Sequence, residues 1–153
     1  MNILNYISPE YIFLDKVFDS KEALLEFLLD QVKNHPSILN WTLVSRDLWE
    51  REAKGGSGLE VGIAMPHART EGVRDIVICF VRLAVPIDFG SMDGEKARFV
   101  FFILVPKEKV EEYLEVVGHI MRIMKRESVR SKLMDCRSSE EVMKLLADLE
   151  VKP

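Results

Sequence analysis

Gly62-Ile63-Ala64-Met65-Pro66-His67-Ala68-Arg69 is the stretch on which the reading of the chain turns. The apolar run Val61 to Met65 leading into it reads as a buried strand. Pro66 has no N–H to give to a ladder, so it is expected to stop that strand. His67 is then the first residue past the stop, one imidazole held at a fixed point on the rim of a sheet.

Upstream of this stretch, a helix is expected from about Thr42 to Ala53, with Leu43, Val44 and Leu48 facing inward and Arg46, Glu50 and Arg51 polar. Gly55-Gly56-Ser57-Gly58 breaks it. Further back, Tyr11 to Leu14 reads as a first strand. Asp19 or Ser20 can cap the helix after it, whose stripe is Leu24, Leu25, Leu28, Leu29 and Val32. Asn34-His35-Pro36 ends that helix and leaves His35 in a loop.

Downstream come two strong apolar runs, Ile76 to Leu83, interrupted by Arg82, and Phe99 to Val105. Neither alternates, so both faces of the sheet are expected to be covered. Pro86 to Gly94 reads as the loop between them, closing on the turn dipeptide Asp93-Gly94, and Pro106 stops the last strand. The remainder is helical. Val110, Tyr113, Leu114, Val117, Met121 and Met124 keep helical spacing, Val129, Leu133 and Met134 suggest a short helix, and Ser138 with Glu141 fits a capping box for the last one. The order implies an α/β fold with a sheet sandwiched between helix layers.

The 153 residues are expected to form one domain, 1–153, long enough to bury a core without disulfides. A net charge of -4 with no basic face argues against nucleic acid as a partner. Cys79 and Cys136 lack metal-ligand spacing and read as free thiols of a reducing compartment. No secretory signal and no apolar run of about 18 residues is present, so a cytoplasmic location is expected, with no membrane span. No cofactor motif and no metal cluster is found.

A neutral imidazole near pH 7 is a nucleophile that can take a phosphoryl group as a phosphoramidate. Such a site needs a rigid mount, a cation and short donors. Pro66 can supply the first, and Arg51 or Arg69 the second, through a guanidinium fork that matches phosphate oxygens. Gly55 to Gly58 can supply the third through backbone N–H groups and the Ser57 hydroxyl. Residue type alone leaves the bland readings standing: a structural histidine, a flexible glycine loop, solvated arginines.

The segment Leu48 to Ala68, L-W-E-R-E-A-K-G-G-S-G-L-E-V-G-I-A-M-P-H-A, resembles the enzyme IIA domains of the fructose/mannitol class of the bacterial sugar phosphotransferase system, including their nitrogen-regulatory relatives. That family shows an R-E pair, a Gly/Ser/Thr loop and G-I-A-I-P-H-[GA] in the same order. Pro86 to Gly94, P-I-D-F-G-S-M-D-G, is similar to its P-x-D-F-G-x-x-D-G, and the helix Glu112 to Met124 resembles its equivalent. The resemblance covers nearly the whole chain. It implies a three-layer α/β/α sandwich with a mixed β-sheet flanked by helices, and a phosphotransferase acting as phosphoryl carrier. His67 is then the phosphorylated residue, Arg51 the arginine beside the phosphoryl group and Ser57 the hydroxyl of the glycine loop. The implied donor is HPr or its nitrogen-branch counterpart. The implied acceptor is a cysteine of an enzyme IIB component.

Two positions depart from the pattern. The family usually opens its helix motif H-L-x-x-L with a second histidine, and here Tyr113 stands in that place. A tyrosine can donate a hydrogen bond but cannot titrate near neutrality, and on an apolar stripe it is equally a core residue. His119 lies about 240° further round the helix at ~100° per residue and cannot substitute without a register shift. Glu60 stands where the family often has glycine and is expected to add negative charge near the phosphate site. Three roles follow: a phosphocarrier, a regulatory module whose His67 phosphorylation controls binding to a transporter, kinase or regulator, or a structural relative without phosphorylation. In each, the membrane is met only through a transporter.

Overall fold

A computed structural model of the protein describes residues 2–151. Its sheet is built on two long apolar strands, β4 (Val77–Ile87) and β5 (Ala97–Pro106), which pair antiparallel. They do not alternate in hydrophobicity because both pleat faces are covered. Phe80, Phe99, Phe101 and Ile103 face one core, and Val77, Cys79, Val81, Val100 and Phe102 face the other. Each large side chain fully removed from water contributes roughly 1.5–3 kcal/mol.

Three short strands extend this pair. β1 (Ile12–Lys16) runs parallel to β4. On the other side β2 (Ile63–Ala64) and β3 (His67–Thr70) both lie parallel to β5, so the sheet is mixed. Here the structure differs from the sequence reading. Pro66 interrupts the ladder but does not end it: His67 opens a second strand on the edge of β5, in register with Ile103. Pro86 and Ile87 likewise belong to β4, which carries on past a register shift after Arg82.

Helices α1 (Lys21–Val32) and α2 (Trp41–Ala53) cover one face of the sheet. Helices α3 (Val110–Met124), α4 (Glu127–Asp135) and α5 (Ser139–Val151) cover the other, completing the three-layer α/β/α sandwich. The caps follow the sequence. Ser20 accepts from the Ala23 amide, and the Ser138 hydroxyl from the Glu141 amide, while the Glu141 carboxylate takes the amide of Arg137. Cys79 and Cys136 are free and buried. Among the described residues no helix is long and apolar enough to cross a membrane.

Arg82, the one charge in the β4 run, is only 5% exposed. Its guanidinium donates to the carbonyls of Leu133 (2.8 Å) and Cys136 at the end of α4, and to Asp15 (2.9 Å) on β1. It therefore satisfies carbonyls that a helix C-terminus leaves unpaired. Replacing Arg82 with methionine keeps the stem and removes the donors. The expected loss is about 2–4 kcal/mol, read as a lower urea midpoint at unchanged slope. An unchanged midpoint would show that water takes over those carbonyls.

Candidate functional site

The site forms where the sheet edge at β3 lies between α2 and α3. Asn40 caps α2 by accepting from the Leu43 amide, and the Trp41 indole donates to the Leu29 carbonyl, which ties this helix to α1. Asp47, Glu50, Arg51 and Lys54 follow at i, i+3, i+4 and i+7, and so share one face of the helix and its end. That face turns towards β3.

The chain then enters Gly55–Gly58, whose composition has a packing cause. A Cβ on Gly56 would lie 2.2 Å from the Phe89 carbonyl oxygen, and one on Gly58 would lie 2.8 Å from the Ser91 amide nitrogen. Only hydrogen atoms fit there, so backbone runs against backbone. The Gly58 amide donates to the Phe89 carbonyl (3.0 Å), and the Gly55 amide to that of Glu52 (3.2 Å). Two of the loop's donors are thus occupied. The Gly56 and Ser57 amides have no backbone or side-chain acceptor among the described residues.

Asp93 steadies the next turn. Its carboxylate accepts from the Ser91 hydroxyl and from the amides of Glu95 and Val61 (3.0 Å each), and these bonds hold its pKa below the ordinary value. The Val61 bond matters because Val61 sits at φ 54°, a left-handed conformation that a β-branched residue rarely adopts. Gly62 follows at φ 74°, and the chain then turns into β2. The Met65 amide donates to the Ser57 carbonyl (2.9 Å) and the Pro66 carbonyl accepts from Ile103 (3.0 Å), which clamps the backbone entering His67.

The His67 ring is fixed at both nitrogens. Nδ1 lies 3.1 Å from the Met65 carbonyl oxygen, and Nε2 lies 3.1 Å from the Tyr113 hydroxyl. A carbonyl can only accept, so Nδ1 carries the hydrogen. In the neutral ring Nε2 is therefore bare and accepts from Tyr113. Burial pushes the pKa of His67 below 6.5. The Met65 bond opposes that shift, Arg51 adds to it, Glu52 opposes it and Arg69 adds to it. The outcome is a neutral nucleophile whose lone pair is at Nε2, under the Tyr113 hydroxyl.

His67 and Tyr113 together line a cavity of about 480 Å³. Arg51, Lys54, Arg69 and Lys107 bring positive charge to its walls. The two acids there, Asp47 and Glu50, are both answered by Arg46, at 3.0 and 3.9 Å. Arg51 and Arg69 each make one long bond, 3.4 Å, to the carbonyls of Gly55 and Lys107. Their remaining donors have no partner among the described residues. A smaller recess of about 100 Å³ is shared by His67, Arg51, Ser57 and Tyr113, and the buried Ser57 hydroxyl has no hydrogen-bond partner among the described residues. A dianion attached to Nε2 would meet guanidinium groups, an unused hydroxyl and unused amides.

The structure thus brings together His67, Arg51, Ser57, Tyr113 and Arg69. It does not bring in Glu60, whose carboxylate pairs with Lys125 at 2.9 Å and lines a different, apolar groove beside Met92 and Met121. The left-handed turn at Val61 and Gly62 separates it from His67. His119 is also elsewhere, 2.6 Å from Glu150 of α5. Two cations of the cavity escaped the sequence reading. Lys54 was legible from its place on the α2 face, one turn past Arg51. Lys107 follows β5 and reaches the cavity only because β3 ends beside it. Glu52, the acid of the R-E pair, is 8% exposed, with Lys21 at 3.5 Å and neither carboxylate oxygen hydrogen-bonded among the described residues.

The sequence profile of the family described as "Phosphoenolpyruvate-dependent sugar phosphotransferase system, EIIA 2" matches residues 5–149. The chain is 34% identical over 147 residues to the PTS system fructose-specific EIIA component of Haloferax volcanii, covering 95% of this chain and 96% of that one. It superposes with a TM-score of 0.86 and 33% identity on the nitrogen regulatory protein IIA-Ntr of Neisseria meningitidis, covering 94% of this chain and 98% of that one. The mannitol enzyme IIA of Escherichia coli, solved in complex with phosphorylated mannitol enzyme IIB, shares the fold at TM-score 0.79 and 23% identity, over 93% of this chain and 97% of that chain.

Proposed function

Because the chain belongs to the EIIA 2 family of the phosphoenolpyruvate-dependent sugar phosphotransferase system, we propose that it is a phosphohistidine carrier, receiving a phosphoryl group on His67 Nε2 from an HPr-like protein and passing it to an enzyme IIB component. The observation that carries this reading is the fixed tautomer. With its hydrogen on Nδ1, towards Met65, the ring has its lone pair at Nε2 and lines a cationic cavity.

In the forward step the Nε2 lone pair attacks phosphorus, and the bond from phosphorus to the donor's leaving atom breaks, its electron pair returning to the donor. In the second step a thiolate of the IIB component attacks phosphorus and the P–Nε2 pair returns to His67. Little covalent work falls to the protein, so positioning and charge stabilisation dominate. Arg51 supplies a guanidinium to the phosphoryl oxygens, with Arg69 lining the same cavity, and Ser57 donates its hydroxyl. The whole chain, 1–153, acts as one EIIA unit in the cytoplasm and meets the membrane only through a transporter.

The test is incubation with the general phosphotransfer proteins and phosphoenolpyruvate. Acid-labile phosphate on the wild type is the expected result, and its absence with every donor overturns the reading. Replacing Arg51 with alanine is expected to slow uptake about 10–100-fold, with lysine recovering only part because it cannot offer a planar fork. Equal rates for all three would remove Arg51 from the site.

The likeness to a nitrogen regulatory protein favours a second reading, in which phosphorylation of His67 controls binding to a transporter, kinase or regulator. His67→Ala and His67→Asp proteins used as bait separate the two. Identical partner sets would count against a switch.

A further inference from the structure

We propose that Tyr113 is a hydrogen-bond switch for His67: its hydroxyl donates to the Nε2 lone pair while the ring is unphosphorylated, and to a phosphoryl oxygen once the N–P bond has formed. The proposal rests on the carrier reading of His67. Its first half follows from direction. Nδ1–H is committed to the Met65 carbonyl, so Nε2 can only accept and the Tyr113 O–H can only donate, across 3.1 Å. The hydroxyl makes no other hydrogen bond among the described residues.

The second half follows from what occupies that lone pair afterwards. A phosphoryl group on Nε2 displaces the hydroxyl from its acceptor. The Tyr113 ring cannot retreat far. It packs against the core formed with α3 and sits tilted 36° to the imidazole, with centroids 5.1 Å apart. Rotation about the C–O bond is the motion left, and it turns the O–H towards the new oxygens beside it. Burial raises the pKa of this phenol above 10, with Arg51 and Arg69 opposing, so the donor hydrogen stays on.

The exchange is uneven. A neutral O–H···N bond is given up and a charge-assisted bond to a phosphoryl oxygen is gained, and the latter kind is roughly twice as strong. Tyr113 therefore draws the phosphoryl group towards His67. It also covers the nucleophile at rest, so attack waits for the hydroxyl to leave.

Tyr113→Phe removes only the oxygen, and its thermal unfolding verifies that the fold is kept. In the unphosphorylated protein, ¹⁵N NMR of the imidazole is expected to show the Nε2 resonance moving while Nδ1 stays. A phenol ring that merely packs would move neither. Mixed with the phosphorylated HPr-like donor, the variant is expected to hold a smaller share of phosphoryl groups, the equilibrium shifted about 3–10-fold back to the donor. Unmoved nitrogen resonances overturn the resting half of the switch, and equal equilibria overturn the phosphorylated half. A wild-type protein that takes no phosphoryl group overturns the carrier reading and the switch together, whereas either of the two results above with a phosphorylated wild type leaves the carrier reading standing.

Discussion

His67→Ala is expected to abolish acid-labile phosphorylation, a loss of at least ~10³-fold, because no other group at the site can take over the attack. Tyr113 is kept protonated by burial, and Ser57 has no base within hydrogen-bond reach among the described residues. The wild-type pH profile carries a second expectation. Burial holds the His67 pKa below 6.5, with Arg51 and Arg69 adding to the shift and Glu52 opposing it. The neutral form therefore persists to lower pH than in a free imidazole. The midpoint of uptake against pH should therefore lie below 6.5. The same shift acts on stability. The unfolded chain binds a proton that the folded ring refuses, so His67's contribution is present above 6.5 and is lost as pH falls from there through the folded value. Rapid-quench phosphorylation and urea titrations across this range check both. Uptake that halves above 6.5 would show that the ring is not shielded as the structure has it.

Gly56→Ala is expected to cost roughly 1–3 kcal/mol in stability and at least about tenfold in phosphoryl uptake. The added methyl would stand 2.2 Å from the Phe89 carbonyl oxygen and 3.1 Å from its carbon, and backbone on both sides leaves nothing flexible to yield. The loop must then lift, taking with it Ser57 and the Gly55 carbonyl that Arg51 holds. Gly118→Ala is the control. Its methyl would meet only the end of the Arg122 side chain, at 3.3 Å, within a helix where alanine is favoured. That variant should be neutral to about 1 kcal/mol more stable. Equal behaviour of the two variants in urea denaturation would dispose of the packing account.

The sequence carried the layers well because the layers depend on local pattern. Unbroken apolar runs at Ile76 and Phe99 require cover on both faces, and the stripes beginning at Leu24 and Val142 supply it. Capping serines marked two helix starts. The site was legible only in part. His67 and Arg51 stood out through the order of their motifs, which also put Ser57 between them. What failed was whatever depends on distant chain. His67-Ala68-Arg69-Thr70 has no strand pattern and becomes β3 because the edge of β5 offers a ladder. Glu60 is near His67 in sequence, but the Val61–Gly62 turn sends it to another groove. Gly56 and Gly58 were readable as a loop, and their close contact with Phe89 and Ser91 was not. Tyr113 had two open readings, and the structure combines them: a ring against the core with its hydroxyl on His67.

The clamping of the backbone on the approach to His67 bears on how its chemical state can be noticed. Met65 is tied to Ser57, Pro66 to Ile103, and His67 itself is in register with Ile103 on the neighbouring strand β5. Adding a phosphoryl group changes local charge by roughly -1.5 to -2, by analogy with phosphorylated hydroxyl residues, and leaves the main chain little freedom to respond. A ligand can discriminate two states only through contacts that differ between them. Here those contacts lie at the cavity mouth. If His67 carries the phosphoryl group as proposed, a regulator that distinguishes the two states must cover the same footprint as the proteins that load and unload it. Signalling and transfer would then be mutually exclusive occupancies, and the concentration of one partner would set the flux through the other.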